Sequence, residues 1–339
     1  MGWYNLAFLR DGLGGTMRVI RNRPEWTGGS FASRPTAVAV GNFDGVHRGH
    51  QALIRKTREL AGDGRDAAVM TFEPLPAAHF RPQAAPARLT TVYQKLDLLR
   101  QAGVDLTWMV RFDARFAGLS AEHFVRAVLI ERLRARHVVV GEDFRFGKRQ
   151  QGDVDLLRRL GPECGFEVVA VPAVTCGDER ISSSGIRMRL AAGDFAGAAR
   201  FLGRPFRMEG HVVRGKRLGR KLGYPTANLR IRAEPSPLYG VLAVYARIAG
   251  GPWLPGVANL GRRPVVGGRT ALLEVHFFDF DRDIYGQRLD VQFVAKLRDE
   301  QNFAGLDALV EKMKGDEHEA RAILAETEPP AEYRDGATG

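Results

Sequence analysis

Thr36-Ala37-Val38-Ala39-Val40-Gly41-Asn42-Phe43-Asp44-Gly45-Val46-His47-Arg48-Gly49-His50 changes pattern halfway along. Its first five residues form a short apolar run with no polar alternation, which predicts a strand buried on both faces. From Gln51 to Leu60 the positions Leu53, Ile54, Thr57 and Leu60 recur at helical spacing. The stretch between is thus a strand-to-helix turn. Glycines at 41, 45 and 49 let backbone N–H groups approach an anion closely. The helix that follows turns its positive dipole end toward the same place. His47 and His50 are three apart and can face one side of the first helical turn. Two imidazoles there can donate to phosphate oxygens and stabilise charge as a leaving group departs.

The same alternation extends outward. Ala67–Phe72, Leu106–Phe112, His137–Val140 and Glu167–Val171 read as further strands. Thr91–Gln101, a Ser120-capped segment to Leu133 and Asp153–Leu160 read as helices, with Gly103 stopping the first. Strand and helix alternating in this way predict a Rossmann-like α/β domain with a parallel sheet covered on both faces. Ligands in such sheets sit beyond the carboxyl ends of the strands. Gly141-Glu142-Asp143-Phe144-Arg145-Phe146-Gly147 follows one strand. Ser182-Ser183-Ser184-Gly185-Ile186-Arg187 follows another and opens a helix over Ser184–Leu202. Hydroxyls, amides and an arginine at a helix start suit a phosphate, although the serines could equally be simple N-caps.

Near residue 200 the pattern changes. Short runs rich in Val, Tyr and Phe, such as Tyr239–Ile248, Leu272–Phe278 and Leu289–Phe293, are separated by Gly and Pro. They predict a small antiparallel β-barrel domain closed by a helix over Leu306–Leu324. The segment Gly215 to Asn228 is basic and glycine-spaced, and either suits a polyphosphate or is a solvated basic hairpin. Thr226 and Asn228 offer the hard oxygens that Mg²⁺ takes beside substrate phosphates. Glu274 sits inside an apolar strand, where it either faces solvent or points into a site as a general base.

Composition bounds the rest. The 339 residues suggest two domains, and the 45% hydrophobic share is that of a globular protein. No apolar run is long enough to span a bilayer, and nothing near the N-terminus reads as a signal peptide. The cytoplasm is the expected compartment. Cys164 and Cys176 have no metal-ligand or disulfide spacing. The net charge of +11 is spread along the chain without an aromatic-interleaved stripe, so no nucleic-acid partner is expected.

Gly-x-Phe-Asp-Gly-x-His-x-Gly-His resembles the HxGH-type motif of the nucleotidyltransferase superfamily. Joined to Pro225-Thr226-Ala227-Asn228, Gly256-Val257-Ala258-Asn259-Leu260-Gly261-Arg262-Arg263-Pro264, Glu274 and Leu297-Arg298-Asp299-Glu300, it resembles bacterial bifunctional riboflavin kinase/FAD synthetases from about Met17 to about Leu324. The resemblance implies a kinase that makes FMN from riboflavin and ATP, and an adenylyltransferase that joins FMN to AMP from ATP and releases pyrophosphate. It implies an adenylyltransferase domain over 17–200 and a kinase domain over 201–325, with 1–16 and 326–339 as flexible extensions. It implies ATP contacts from Gly41, Asn42, Phe43, Asp44, Gly45, His47, His50, Gly141, Asp143, Ser183, Ser184 and Arg187. Phe72, Pro74 and Pro76 would line that domain's flavin site. In the kinase, Gly215, Lys216, Gly219, Thr226 and Asn228 would hold phosphate. Thr226 and Asn228 would also hold Mg²⁺, Glu274 would be the base, and Arg298 and Glu300 would meet the flavin. Partners would be small molecules only, with the chain a monomer or weak homo-oligomer. Leu75 stands where the family often has histidine, so no role passes to it. Two alternatives are an HxGH-type adenylyltransferase of another substrate and a chain with only one working module. The Pro-Thr-Ala-Asn and Glu274 cluster argues against the first. A flavin-binding regulator would have lost His47, His50 or Glu274.

Overall fold

The computed structural model describes residues 7–10, 16–21, 30, 32–215, 219, 223–231, 235–265 and 268–330. Two compact units divide the chain, residues 1–86 with 90–183 and residues 87–89 with 184–339.

The first unit holds a seven-stranded sheet. Its strands are β1 (Ala7–Arg10), β2 (Thr16–Arg21), β3 (Thr36–Val40), β4 (Asp66–Glu73), β5 (Leu106–Arg111), β6 (Ala135–Gly141) and β7 (Glu167–Val171), in the order β1-β2-β5-β4-β3-β6-β7. All neighbours are parallel except β1, which pairs antiparallel with β2. Residues 7–10, set aside above as part of an extension, thus add an edge strand. β3 is buried at every position. Val38 and Val40 pack into one core cluster and Ala39 into another, so the continuous apolar run serves two faces.

The helices are α1 (Arg48–Ala61), α2 (Pro76–Phe80), α3 (Val92–Gln101), α4 (Ala114–Ala117), α5 (Ala121–His123) and α6 (Val154–Cys164). Ile54 of α1 and Leu96 and Leu99 of α3 cover one face, while Leu157 and Leu160 of α6 cover the other. The helix predicted from Ser120 to Leu133 begins as α5 and then widens into a π-helix over Phe124–Arg132, with Leu133 N–H donating to Val128 five residues back. A small hairpin, β8 (Thr175–Cys176) and β9 (Glu179–Arg180), ends the first unit, and the second begins within α7 (Ser183–Ala192). The single helix predicted over Ser184–Leu202 is two, α7 and α8 (Phe195–Leu202). Gly193 at φ 80° breaks the chain, and Asp194 caps α8 by accepting from Gly197 N–H.

In the second unit, β10 (Arg207–Val213), β11 (Ala227–Ile231), β12 (Gly240–Ile248), β13 (Trp253–Val265), β14 (Gly268–Phe277) and β15 (Arg288–Arg298) form a closed antiparallel barrel in the order β10-β11-β14-β13-β12-β15. Leu229, Leu242, Leu260, Leu273 and Val275 are all buried and alternate with outward residues along their strands. The last helix, α9 (Leu306–Ala325), packs Ala320 and Leu324 against Ala243, Tyr245 and Phe278 on the barrel's outside. The fold is the α/β plus β-barrel arrangement expected from the sequence. Among the described residues no helix is long and apolar enough to cross a membrane.

Candidate active sites

Sheet order locates the first site. From β3 the chain moves to β4 and β5 on one side, then returns to β6 on β3's other side. The loops leaving β3 and β6 therefore diverge, and a crevice opens between the carboxyl ends of these strands. Gly41–His50 leaves β3 and Gly141–Gly147 leaves β6, so both motifs border that crevice.

The β3–α1 loop is built from inside. Phe43 (φ 47°) and Val46 (φ 40°) adopt left-handed backbone and are buried. Such conformations persist only where the surroundings over-determine them. Asp44 is buried, and its carboxylate accepts from Thr90 N–H at 3.3 Å, while Gly45 N–H donates to Thr90 Oγ1 at 3.2 Å. Phe43 and Asp44 therefore hold the loop, and what they can offer ATP is main chain rather than side chain. The helix begins three residues earlier than its apolar periodicity marked, which makes His47 the N-cap. His47 Nδ1 accepts from His50 N–H at 3.4 Å. That bond assigns the proton of neutral His47 to Nε2, which leaves Nε2 as a donor. The His47 and His50 rings stack with centroids 3.7 Å apart and an 18° interplanar angle.

Ser183 Oγ donates to Asp44 O at 2.9 Å, so the serine-rich segment ties directly into the histidine loop. Ser184 is exposed, and Arg187 donates through Nε to Ala87 O. On the β6 side, Asp143 pairs with Arg180 at 2.6 Å. A Cβ at Gly141 would lie 3.1 Å from the Asp143 carboxylate, so the backbone of this turn runs close beside that side chain.

Of the residues assigned to the flavin, Phe72 is buried and packs edge-on against Phe112 at 5.6 Å. Pro74 is exposed and Pro76 opens α2. The sequence reading did not single out the aromatic edge beside them. His79 and Phe80 each stand 5.6 Å from Phe112, with Phe80 64% exposed. Leu75 is buried, so an apolar side chain suits its place.

Strand register builds the second site. Glu274 of β14 stands opposite Asn228 of β11 on one side and Asn259 of β13 on the other. Residues paired across antiparallel strands share a face. Leu273 and Val275 occupy the interior, so this rung of Asn228, Glu274 and Asn259 lies on the barrel's outer face. Glu274 is only half-buried there, and Asn228 is buried. Asn228 Nδ2 donates to Thr226 O at 3.2 Å, which turns its Oδ1 another way. The glycine-spaced loop comes to the same place: a Cβ on Gly215 would lie 2.7 Å from Asn228 Nδ2, and one on Gly219 would lie 3.5 Å from Thr226 Oγ1. Lys216 lies outside the described residues. His276, two residues along the same face, hydrogen-bonds the Pro225 carbonyl through Nδ1 at 2.9 Å. Because a carbonyl only accepts, Nδ1 carries the proton.

The two residues assigned to the kinase's flavin differ. Glu300 is exposed and its carboxylate lies against Gly261, on the same side of β13 as Asn259. Arg298 is instead turned onto α9, where Nε and Nη2 clamp the carboxylate of Asp316 at 2.7 to 3.0 Å. Asp316 is 2% exposed, so this guanidinium ties α9 to the end of β15. Sequence spacing could not reveal that partner on another element. Asn259 is the residue the sequence reading passed over; its position between Gly256 and Pro264 was legible, its pairing with Glu274 was not.

A nucleotidyltransferase sheet with a stacked histidine pair at its switch point, followed by a barrel that presents a glutamate between two asparagines, defines a two-site ATP-using transferase. The FAD synthetase family matches residues 30–185 and the riboflavin kinase family residues 202–324. The bifunctional riboflavin kinase/FMN adenylyltransferase of Escherichia coli K12 is 44% identical over 296 residues, 86% of this chain and 94% of that one. Its counterpart in Pseudomonas fluorescens is 45% identical over 294 residues, 86% of this chain and 94% of that one. A solved structure titled as a macrolide-efflux protein from Streptococcus pneumoniae is 31% identical, with a TM-score of 0.75, covering 89% of this chain and 98% of that one. The chain belongs to the bifunctional riboflavin kinase/FMN adenylyltransferase family. It is a transferase with both activities.

Proposed function

We propose that the two sites act in sequence, with the residues in the following roles. In the kinase, taken as residues 201–325, Glu274 accepts the proton of riboflavin's 5′-hydroxyl as that oxygen attacks the γ-phosphorus of ATP. The bond from that phosphorus to the ADP oxygen breaks, and FMN and ADP leave. Thr226 and Asn228, with Gly215, Lys216 and Gly219, hold the phosphates. The Thr226 hydroxyl and the Asn228 amide oxygen are hard donors that fit Mg²⁺. Mg²⁺ there would neutralise phosphate charge.

In the adenylyltransferase, taken as residues 17–200, the FMN phosphate attacks the α-phosphorus of ATP and pyrophosphate leaves. That phosphate is ionised near neutral pH and needs no strong base. His47 Nε2–H and His50 donate to the oxygens that gain charge, aided by the N-terminus of α1. Main chain from Gly41 to Gly45, with Gly141, Asp143, Ser183, Ser184 and Arg187, completes the triphosphate cradle. Phe72, Pro74 and Pro76 shape the flavin side, and exposed Phe80 beside Phe112 offers a stacking face. The chain works in the cytoplasm on small molecules, as a monomer or weak homo-oligomer.

The register that sets Glu274 against Asn228 carries this reading. Incubation with riboflavin, ATP and Mg²⁺ should give FMN and then FAD by chromatography; absence of both flavins sinks it. Glu274→Gln should lower FMN formation by roughly 10²–10⁴-fold while supplied FMN still becomes FAD. His50→Ala should do the reverse. Equal loss of both activities in each variant would refute the division of roles.

A further inference from the structure

Lys95 is 1% exposed, a lysine sealed inside the first unit. Burying an ammonium is costly unless its donors are used. Two of them go to the β3–α1 loop and to the neighbouring strand β4: Nζ donates to Asn42 O at 2.9 Å and to Thr71 Oγ1 at 3.4 Å. Thr71 is itself fully buried, and its hydroxyl donates to the same Asn42 carbonyl at 3.0 Å. One carbonyl of the loop thus receives two buried donors.

A second tie comes from the same part of the chain. Thr90, just before α3, receives Gly45 N–H at 3.2 Å and donates its own N–H to Asp44 at 3.3 Å. Thr91 then caps α3 in a reciprocal capping box with Gln94. The start of α3 is fixed locally, and from it Thr90 and Lys95 reach over to hold Asn42, Asp44 and Gly45.

The direction of the Asn42 carbonyl matters. In a trans peptide the C=O and the following N–H point opposite ways. Drawing Asn42 O inward onto Lys95 turns the Phe43 N–H outward. Phe43 then continues in left-handed backbone at φ 47°, which a phenylalanine does not hold unaided. The buried cation also sits behind a loop that must face polyphosphate, in surroundings where screening is weak.

We propose that Lys95 is a positioning residue for adenylyl transfer: its ammonium pins the Asn42–Phe43 peptide so that the loop presents its N–H groups to the ATP phosphates. The inference rests on the reading of Gly41–His50 as the triphosphate loop.

The test uses the full chain, with Lys95→Met, which removes donor and charge, and Lys95→Gln, which keeps a donor without charge. Adenylylation of FMN is followed at varied ATP and varied FMN, with His50→Ala alongside and thermal melting of each protein. Lys95→Met should raise the KM for ATP by about tenfold or more, the scale of losing a hydrogen bond from a charged group, with the KM for FMN little changed. Lys95→Gln should recover most of that loss, and riboflavin phosphorylation should stay at the parent rate in both. Folded variants with an unchanged KM for ATP, while His50→Ala loses FAD formation, overturn the role of Lys95 and leave the site reading intact. If His50→Ala also makes FAD normally, the loop reading itself has failed. If both Lys95 variants lose the melting transition of the first unit, Lys95 serves only the core and the proposal is overturned.

Discussion

The His47 ring is packed over Gly49: a Cβ at residue 49 would lie 3.1 Å from His47 Cε1 and 3.2 Å from Nδ1. The same ring caps α1 and stacks on His50. A side chain at residue 49 would therefore press on the His47 ring of the pair.

Gly49→Ala should displace the His47 ring by a few tenths of an ångström and spoil the stack. FAD formation from supplied FMN should fall by roughly 10²-fold, the scale of a small misplacement of reacting groups. Phosphorylation of riboflavin should be unchanged. Parallel assays of the two activities check this.

Asn259 faces Glu274 across β13 and β14 as Asn228 does across β11 and β14. Asn259→Leu removes the polar group from one side of Glu274. The kcat for FMN formation should fall by about tenfold, with adenylylation of supplied FMN intact. An unchanged kcat would mean that the pairing has no part in the chemistry.

Arg298→Lys should act on stability before substrate binding. Lysine cannot reproduce the two-pronged grip on Asp316, whose side chain is 3% exposed. The barrel unit should lose about 1–3 kcal/mol in chemical denaturation. The KM for riboflavin should stay close to the parent value, whereas a selective rise in that KM would restore Arg298 to the flavin.

His137, at the start of β6, is held below its ordinary value of 6.5, first by burial and then by Arg65, with Glu167 acting the other way. The unfolded chain therefore binds this proton more tightly than the folded one. The contribution is complete above pH 6.5 and is lost as pH falls from there through the lowered folded value. His137→Gln should flatten the fall in melting temperature between pH 7 and pH 5 relative to the parent, with activity at pH 7.5 unchanged.

How much was legible depended on distance along the chain. The strand at 36–40, the turn after it and the helix that follows are set by neighbours, through apolar periodicity, glycine freedom and capping. The helix start moved only because His47 itself supplies the cap. Long-range partners were not legible. The Ser183 hydroxyl could have been a plain N-cap, and it ties to Asp44 instead. Arg298 sits in a motif that suggested a ligand, and it meets Asp316.

By itself the sequence determined the two fold classes and where the two glycine-rich loops fall, because turn geometry, strand burial and helical spacing are properties of short stretches. Tertiary structure alone decided that Asn228, Glu274 and Asn259 share one rung. It also decided that Lys95 lies under the Asn42 carbonyl. Register between strands and the packing of a helix beneath a loop join residues distant in sequence, and no local pattern encodes which of them will face each other.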